Sequence, residues 1–172
     1  GGEERGLLKF FLNLCKTNFF NQFFDVGSNV GYFGIPISQH VKTTCFEPYP
    51  QTYKTLEENI SLNLNNNIRL LPIALSNEFG KVKINLLNEQ CNFGLATIEQ
   101  PIESENTDTQ LIDTIIFDEN FSLVDQKLLF KVDVEGHEFK VLEGMKSTLE
   151  RNHCCIYIET EEKKVLEFMK DL

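Results

Sequence analysis

A chain of 172 residues, 41% hydrophobic and 24% charged, is long enough to bury a sizeable core and reads as one domain. A net charge of −10 and a pI near 4.8, with no basic stripe, argue against nucleic acid and anionic membranes as partners. No apolar run reaches the roughly 18–20 residues that span a bilayer, and no signal peptide is visible. Five cysteines without a C-x-x-C pair suit a reducing cytoplasm, which is the expected location.

Leu7, Leu8, Phe11, Leu14 and Cys15 recur at helical spacing and predict an amphipathic leading helix over residues 4–20. A first strand is expected at Gln22–Val26, then a glycine-bearing turn. The helix that follows, over about 31–40, contains Pro36 and should be kinked or shortened. Residues 43–47 form the second strand, closed by Pro48 and Pro50. Tyr53, Leu56, Ile60 and Leu64 stripe a helix, and a third strand spans 68–75. This first half, 22–76, is the expected cofactor-binding core.

The middle, 80–117, reads as an antiparallel excursion. Residues 81–87 alternate polar and apolar, and 93–98 could pair with them across 88–92. Residues 99–108 are polar and predict a loop, and 111–117 stay open between strand and helix. The pattern resumes over 127–172. A buried strand at 128–134 precedes a helix striped by Phe139, Leu142, Met145 and Leu149. Another strand follows at 154–159, with Cys154 and Cys155 as core residues like Cys45. A last helix at 161–172 turns Val165, Leu166 and Met169 inward. Near-continuous apolar strands alternating with helices predict an α/β fold, a three-layer sandwich around a mostly parallel sheet.

The most telling stretch is Phe23-Phe24-Asp25-Val26-Gly27-Ser28-Asn29-Val30-Gly31, with Glu47 beyond it. A parallel sheet places such a turn at the carboxyl end of a strand, where ligands bind. Glycine permits a sharp turn and a close backbone approach. A carboxylate at the tip of the next strand can accept both ribose hydroxyls of an adenosine. A dinucleotide fingerprint, G-x-G-x-x-G/A, has a glycine where this chain has Asn29. A side chain there obstructs a pyrophosphate but can bind an amino-acid group, so S-adenosylmethionine fits better than NAD. The plainer reading is a turn that only connects strand to helix.

Lys131-Val132-Asp133-Val134-Glu135-Gly136-His137-Glu138 ends the later strand. Alternation places Lys131, Asp133 and Glu135 on one side. Ionisable groups at a buried strand end are costly without a role, which suggests an active-site floor. The alternative is a helix-capping arrangement in which Glu135 or Glu138 favours a helix start. Asp133, Glu135, His137 and Glu159 are also conceivable metal ligands, although no metal is expected. His137 is either a general base or a solvated helix-start residue. Asn92 and Gly94 suit either a loop over the site or a plain hairpin.

Taken in order, Phe24-Asp25-Val26-Gly27-Ser28-Asn29-Val30-Gly31, Phe46-Glu47-Pro48, Leu62-Asn63, Asn66-Asn67, Ala74-Leu75-Ser76, Asn92-Phe93-Gly94, Asp113 and Lys131–Glu138 resemble the FkbM family of methyltransferases, over about residues 22–160. The resemblance implies a Rossmann-like class I fold and O-methylation from S-adenosylmethionine, often of sugar or polyketide hydroxyls. By that likeness Gly27, Ser28, Asn29 and Gly31 hold the methionine part. Glu47 takes the ribose hydroxyls, Ala74-Leu75 lie against the adenine, and Asp25, Pro48 and Asp133 are further cofactor-binding candidates. Asp133 and Glu135 sit beside the sulfonium, and Asp133, Glu135 or His137 acts as the base. The implied partner is a small-molecule or glycan acceptor. Family members usually continue into a final hairpin, so a chain stopping at Leu172 implies either truncation or an open sheet edge. An NAD-dependent oxidoreductase and a non-catalytic binding or scaffold module are the rival readings.

Overall fold

The structure, a computed structural model, describes residues 2–63, 67–87, 96–97 and 107–172. The chain opens with α1 (Gly2–Lys16), β1 (Gln22–Val26), α2 (Gly34–Ile37), β2 (Lys42–Phe46), α3 (Pro50–Leu62) and β3 (Ile68–Leu71). The middle holds β4 (Ala74–Ser76), β5 (Gly80–Leu87), β6 (Ala96–Thr97), β7 (Thr107–Ile116) and α4 (Phe117–Asn120). The last part is β8 (Lys127–Val132), α5 (Glu138–Gly144), α6 (Lys146–Arg151), β9 (His153–Ile158) and α7 (Lys163–Lys170).

Five strands make a fully parallel sheet in the order β3-β2-β1-β8-β9. Alternation along β1 and β8 divides its two faces. Phe23 and Leu129 pack under α1 and α2 with Phe11, Cys15 and Ile37, all buried. Phe24, Val26, Phe130 and Val132 point the other way, into a core closed by Phe117, Val141, Leu142 and Val165. The phenylalanines account for much of that second core. Phe24 stacks on Phe130 at 5.0 Å between ring centroids, and Phe117 on Phe121 at 4.4 Å. Apolar strands sandwiched between helices explain why this sheet is parallel and the second is not. The second sheet, β4-β7-β5-β6, is antiparallel except for β4 with β7, and its small core is Ala74, Ile84 and Ile112.

Several elements differ from the expectations. The leading helix stops at Lys16, and Asn18 follows in the left-handed region. The helix expected at 31–40 is a single turn, α2. It starts late because the preceding loop holds Asn29 and Gly31 at positive φ, and Pro36 then falls within its first turn, where no donor is needed. The strand expected at 68–75 is two strands in different sheets. Pro72 cannot donate to a ladder, and the chain crosses over between them. Residues 111–117 resolve as the end of β7 followed by α4.

The helix expected through Phe139–Leu149 breaks at Met145 into α5 and α6. At the break Gly144 lies against the Ser76 backbone, too close for any Cβ. In α7, Val165 is buried and Met169 packs on the core, but Leu166 is exposed, so it does not turn inward as expected. Cys45 is buried, whereas Cys154 and Cys155 on β9 are only half-buried. The excursion pairs as expected at Asn85 with Thr97 and Leu86 with Ala96. The rest of 88–106, including Asn92 and Gly94, lies outside the described residues. No helix among the described residues is long and apolar enough to cross a membrane.

Candidate functional site

The turn after β1 is shaped by three residues at positive φ. Gly27, Asn29 and Gly31 stand at +79°, +48° and +91°. Asparagine tolerates this region better than most side chains. Gly27 is glycine for a second reason: a Cβ there would run into the Asp133 carbonyl oxygen at the end of the neighbouring strand. Gly31 likewise abuts Leu56 and Ile35. Both close approaches are thus to the protein itself, and the sequence had suggested a ligand instead. Gly27 and Ser28 donate their amides to the Phe46 carbonyl, at 3.1 and 3.0 Å, which seals the turn onto β2.

Glu47 stands one residue past β2, with its amide still bonded to Leu71 O at 3.1 Å. Its carboxylate reaches back to the turn: Oε2 accepts the Asn29 amide at 2.8 Å and Oε1 the Tyr49 amide at 3.0 Å. Burial pushes its carboxyl up to about 7, against the pull of those two amides. The side-chain Oδ1 of Asn29 is buried and has no hydrogen-bond partner among the described residues.

Beneath the turn lies a buried ion group. Asp25 and Lys131 are register partners on β1 and β8. Lys131 Nζ lies 3.9 Å from Asp25 Oδ1 and 3.0 Å from Asp133 Oδ2, and 5.1 Å from the Phe33 ring centre. Burial opposes the Lys131 charge, but Asp25 and Asp133 outweigh it and hold its pKa above the ordinary lysine value. Burial lifts Asp25 to about 6 although Lys131 and the Gly34 amide oppose the rise. Asp133 and Glu159 stand one residue past β8 and β9, their amides bonded to Val26 O and Val132 O at 3.0 Å each. Repulsion from Asp133 and then burial raise Glu159. Burial first, then Asp133 and Glu159, raise Glu135.

These strand ends border one cleft of about 550 Å³. Gly27, Ser28, Asn29, Glu47 and Pro48 line it on one side. Ala74 and Leu75 line it with Ile73, and Lys131, Asp133, Glu135 and Glu159 line it with Glu4 from α1. Asp25 and Gly31 do not reach the cleft; they support its floor and the turn. His137 does not reach it either. The ring is 1% exposed and its Nε2 lies 3.0 Å from Ser76 Oγ, so it is neither a solvated helix-start residue nor placed beside the cleft as a base. Glu138 is equally buried and accepts the Val134 and Gly136 amides at 3.1 Å, which fixes the turn carrying Glu135, at φ +51°. Asp113 is a surface partner of Lys81, at 2.6 Å, away from the cleft. Among the described residues, no three His, Cys, Asp or Glu side chains are set to share a metal ion.

Sequence reasoning missed Asn59, whose side-chain amide donates to Val30 O at 2.9 Å and braces the turn from α3. Its place beside the apolar Leu56–Ile60 stripe was the available signal. Tyr32, Tyr49 and Glu4 also line the cleft, and nothing in their spacing marked them.

The family described as the methyltransferase FkbM domain matches residues 25–172. The hexuronic acid methyltransferase AglP of Haloferax volcanii is 34% identical over 128 residues, which cover 73% of this chain and 50% of that protein. The chain therefore spans about half the length of this curated relative. Among solved structures, a precorrin-6y C5,15-methyltransferase from Geobacter metallireducens GS-15 superposes with a TM-score of 0.56 at 12% identity, over 96% of this chain and 70% of that one. An rRNA methylase from Streptococcus thermophilus gives 0.51 at 16% identity, over 90% and 71%. At such low identity these neighbours establish the fold alone, Rossmann-like and of class I.

Proposed function

The chain belongs to the FkbM methyltransferase family, and from that premise we propose that it transfers a methyl group from S-adenosylmethionine to a hydroxyl of a glycosyl or other small acceptor. The observation that carries this reading is the meeting of Asn29, Glu47 and Asp133 around one cleft at the carboxyl ends of parallel strands. The orphaned Oδ1 of Asn29 fits an α-ammonium, a donor that a pyrophosphate lacks. A relative named for hexuronic acid supports a sugar acceptor.

S-adenosylmethionine supplies a methyl group on a positively charged sulfur, already activated for displacement. The residues of the chain bind, align and handle the proton. Glu47 in its ionised form would accept the ribose hydroxyls, and Ala74 and Leu75 would cover the adenine. Asp133, tethered by Lys131, sets a fixed negative charge near the sulfonium. That charge would aid binding of the cation more than the transfer itself. Alignment of oxygen, carbon and sulfur is the main catalytic contribution. Glu135 borders the cleft with a raised pKa and takes the acceptor's hydroxyl proton as the new C–O bond forms.

Isothermal titration with S-adenosylhomocysteine, with NAD as control, tests the reading. Micromolar binding of the former alone, roughly −8 kcal/mol, is expected, and Glu47→Ala should abolish it. NAD binding alone, or neither ligand binding to a demonstrably folded chain, overturns the proposal.

A further inference from the structure

We propose that the acceptor end of the cleft selects by charge: it takes a hydroxyl-bearing glycosyl group without a carboxylate, prefers one that carries an amine, and rejects uronic acids. The inference rests on the methyl-transfer reading above and separates this chain from the relative named for hexuronic acid.

Glu4, Asp133, Glu135 and Glu159 all line the cleft, close enough that Asp133 and Glu4 act on Glu159 and Asp133 and Glu159 on Glu135, and Lys131 is the only cation among the lining residues described. Lys131 is 3% exposed and already engaged by Asp133 at 3.0 Å and Asp25 at 3.9 Å. A uronate carboxylate would therefore enter a lining with no cation left to receive it. None of 64–66, 88–95 or 98–106 is Lys, Arg or His, whereas Glu89, Glu99, Glu103 and Glu105 are among them.

The carboxylates also resist one another before any ligand arrives. Asp133 is the first cause of the rise at Glu159, and both Asp133 and Glu159 add to the rise at Glu135. An amine brought among them relieves that repulsion, and neutral hydroxyls can donate to them. A further anion deepens the repulsion, and like charges brought together in a partly dry site discriminate strongly.

The test uses three probes with the same ring: the methyl glycosides of glucose, glucosamine and glucuronic acid. Each is titrated against the chain saturated with S-adenosylhomocysteine, by saturation-transfer NMR. Expected is tightest binding of the glucosaminide, then the glucoside, with the glucuronide weaker than the glucoside by about tenfold or more. The gap should narrow as salt is raised. Glu159→Gln should improve glucuronide binding selectively and leave S-adenosylhomocysteine affinity within about twofold. A glucuronide that binds as well as the glucoside overturns the proposal, as does a ratio indifferent to Glu159→Gln. Failure of all three sugars on a loaded protein overturns it too. Failure to bind S-adenosylhomocysteine at all defeats the methyl-transfer reading instead, so the two failures are distinct.

Discussion

Both oxygens of Glu47 accept a backbone amide, yet burial still lifts its pKa from 4.5 to about 7. A folded-state pKa above the unfolded one means that the folded chain holds its proton longer. The stability this contributes is complete below the unfolded value and is lost as pH rises through about 7. Asp25, lifted from 3.8 to about 6, acts in the same direction, and Asp25 and Lys131 are the charged groups that bear on Glu47. Urea unfolding of the free chain should show stability declining between about pH 4.5 and 7.5, by up to ~3 kcal/mol from Glu47. Glu47→Gln should flatten part of the decline. Ligand binding should have the opposite sign, because only the ionised carboxylate accepts two ribose hydroxyls. S-adenosylhomocysteine affinity should therefore rise with pH through about 7, and titration calorimetry in matched buffers reads it. Gly27 is the other decisive position. Gly27→Ala combines a positive φ with a collision at the Asp133 carbonyl, and should cost at least ~2 kcal/mol in urea and disrupt ligand binding.

Between elements, the join of α4 to α6 is the most exposed to a single change. Asp118 Oδ2 accepts the Ser147 amide, and Oδ1 accepts the Thr148 amide and hydroxyl, at 2.8, 2.8 and 2.6 Å. A side chain from α4 thus satisfies donors at the start of α6. Asp118→Ala should cost about 1–2 kcal/mol in urea, with faster hydrogen exchange in α6. No local pattern announces a cap supplied from 29 residues away, so this contact was invisible in the sequence. The same limit explains other differences. β1 was legible to the residue because an apolar run ending in a glycine turn is a local signal. Pro72 was equally visible, but its effect depended on a second sheet being there to receive β4. His137 read as a general base or a solvated helix-start residue, and its burial beside Ser76, which arrives from another sheet, is a tertiary contact. In the cleft, the sequence marked Asn29, Glu47 and Asp133 by type and spacing. Glu4 reaches the cleft, and Asn59 the turn beside it, by helix docking, which spacing does not encode.

For the whole molecule, the cleft draws on both halves of the chain, from Glu4 to Glu159, so a ligand there clamps the parallel sheet across its middle. At a hundredfold excess over Kd, S-adenosylhomocysteine should add about 2.7 kcal/mol, which is a rise in Tm of roughly 5–10 °C for a domain of this size. Scanning calorimetry decides it, and no shift at saturation would mean the ligand binds folded and unfolded chains alike. The aromatic inventory has an optical consequence. The chain has no tryptophan and four tyrosines, so near-ultraviolet fluorescence comes from four phenols. Tyr32 and Tyr49 line the cleft, while Tyr53 sits on α3 and Tyr157 on β9. Half of the emitters therefore stand where a ligand arrives, and filling the cleft should change the emission with no label attached. Replacing Tyr32 and Tyr49 by Phe should silence that response and leave the background light of Tyr53 and Tyr157.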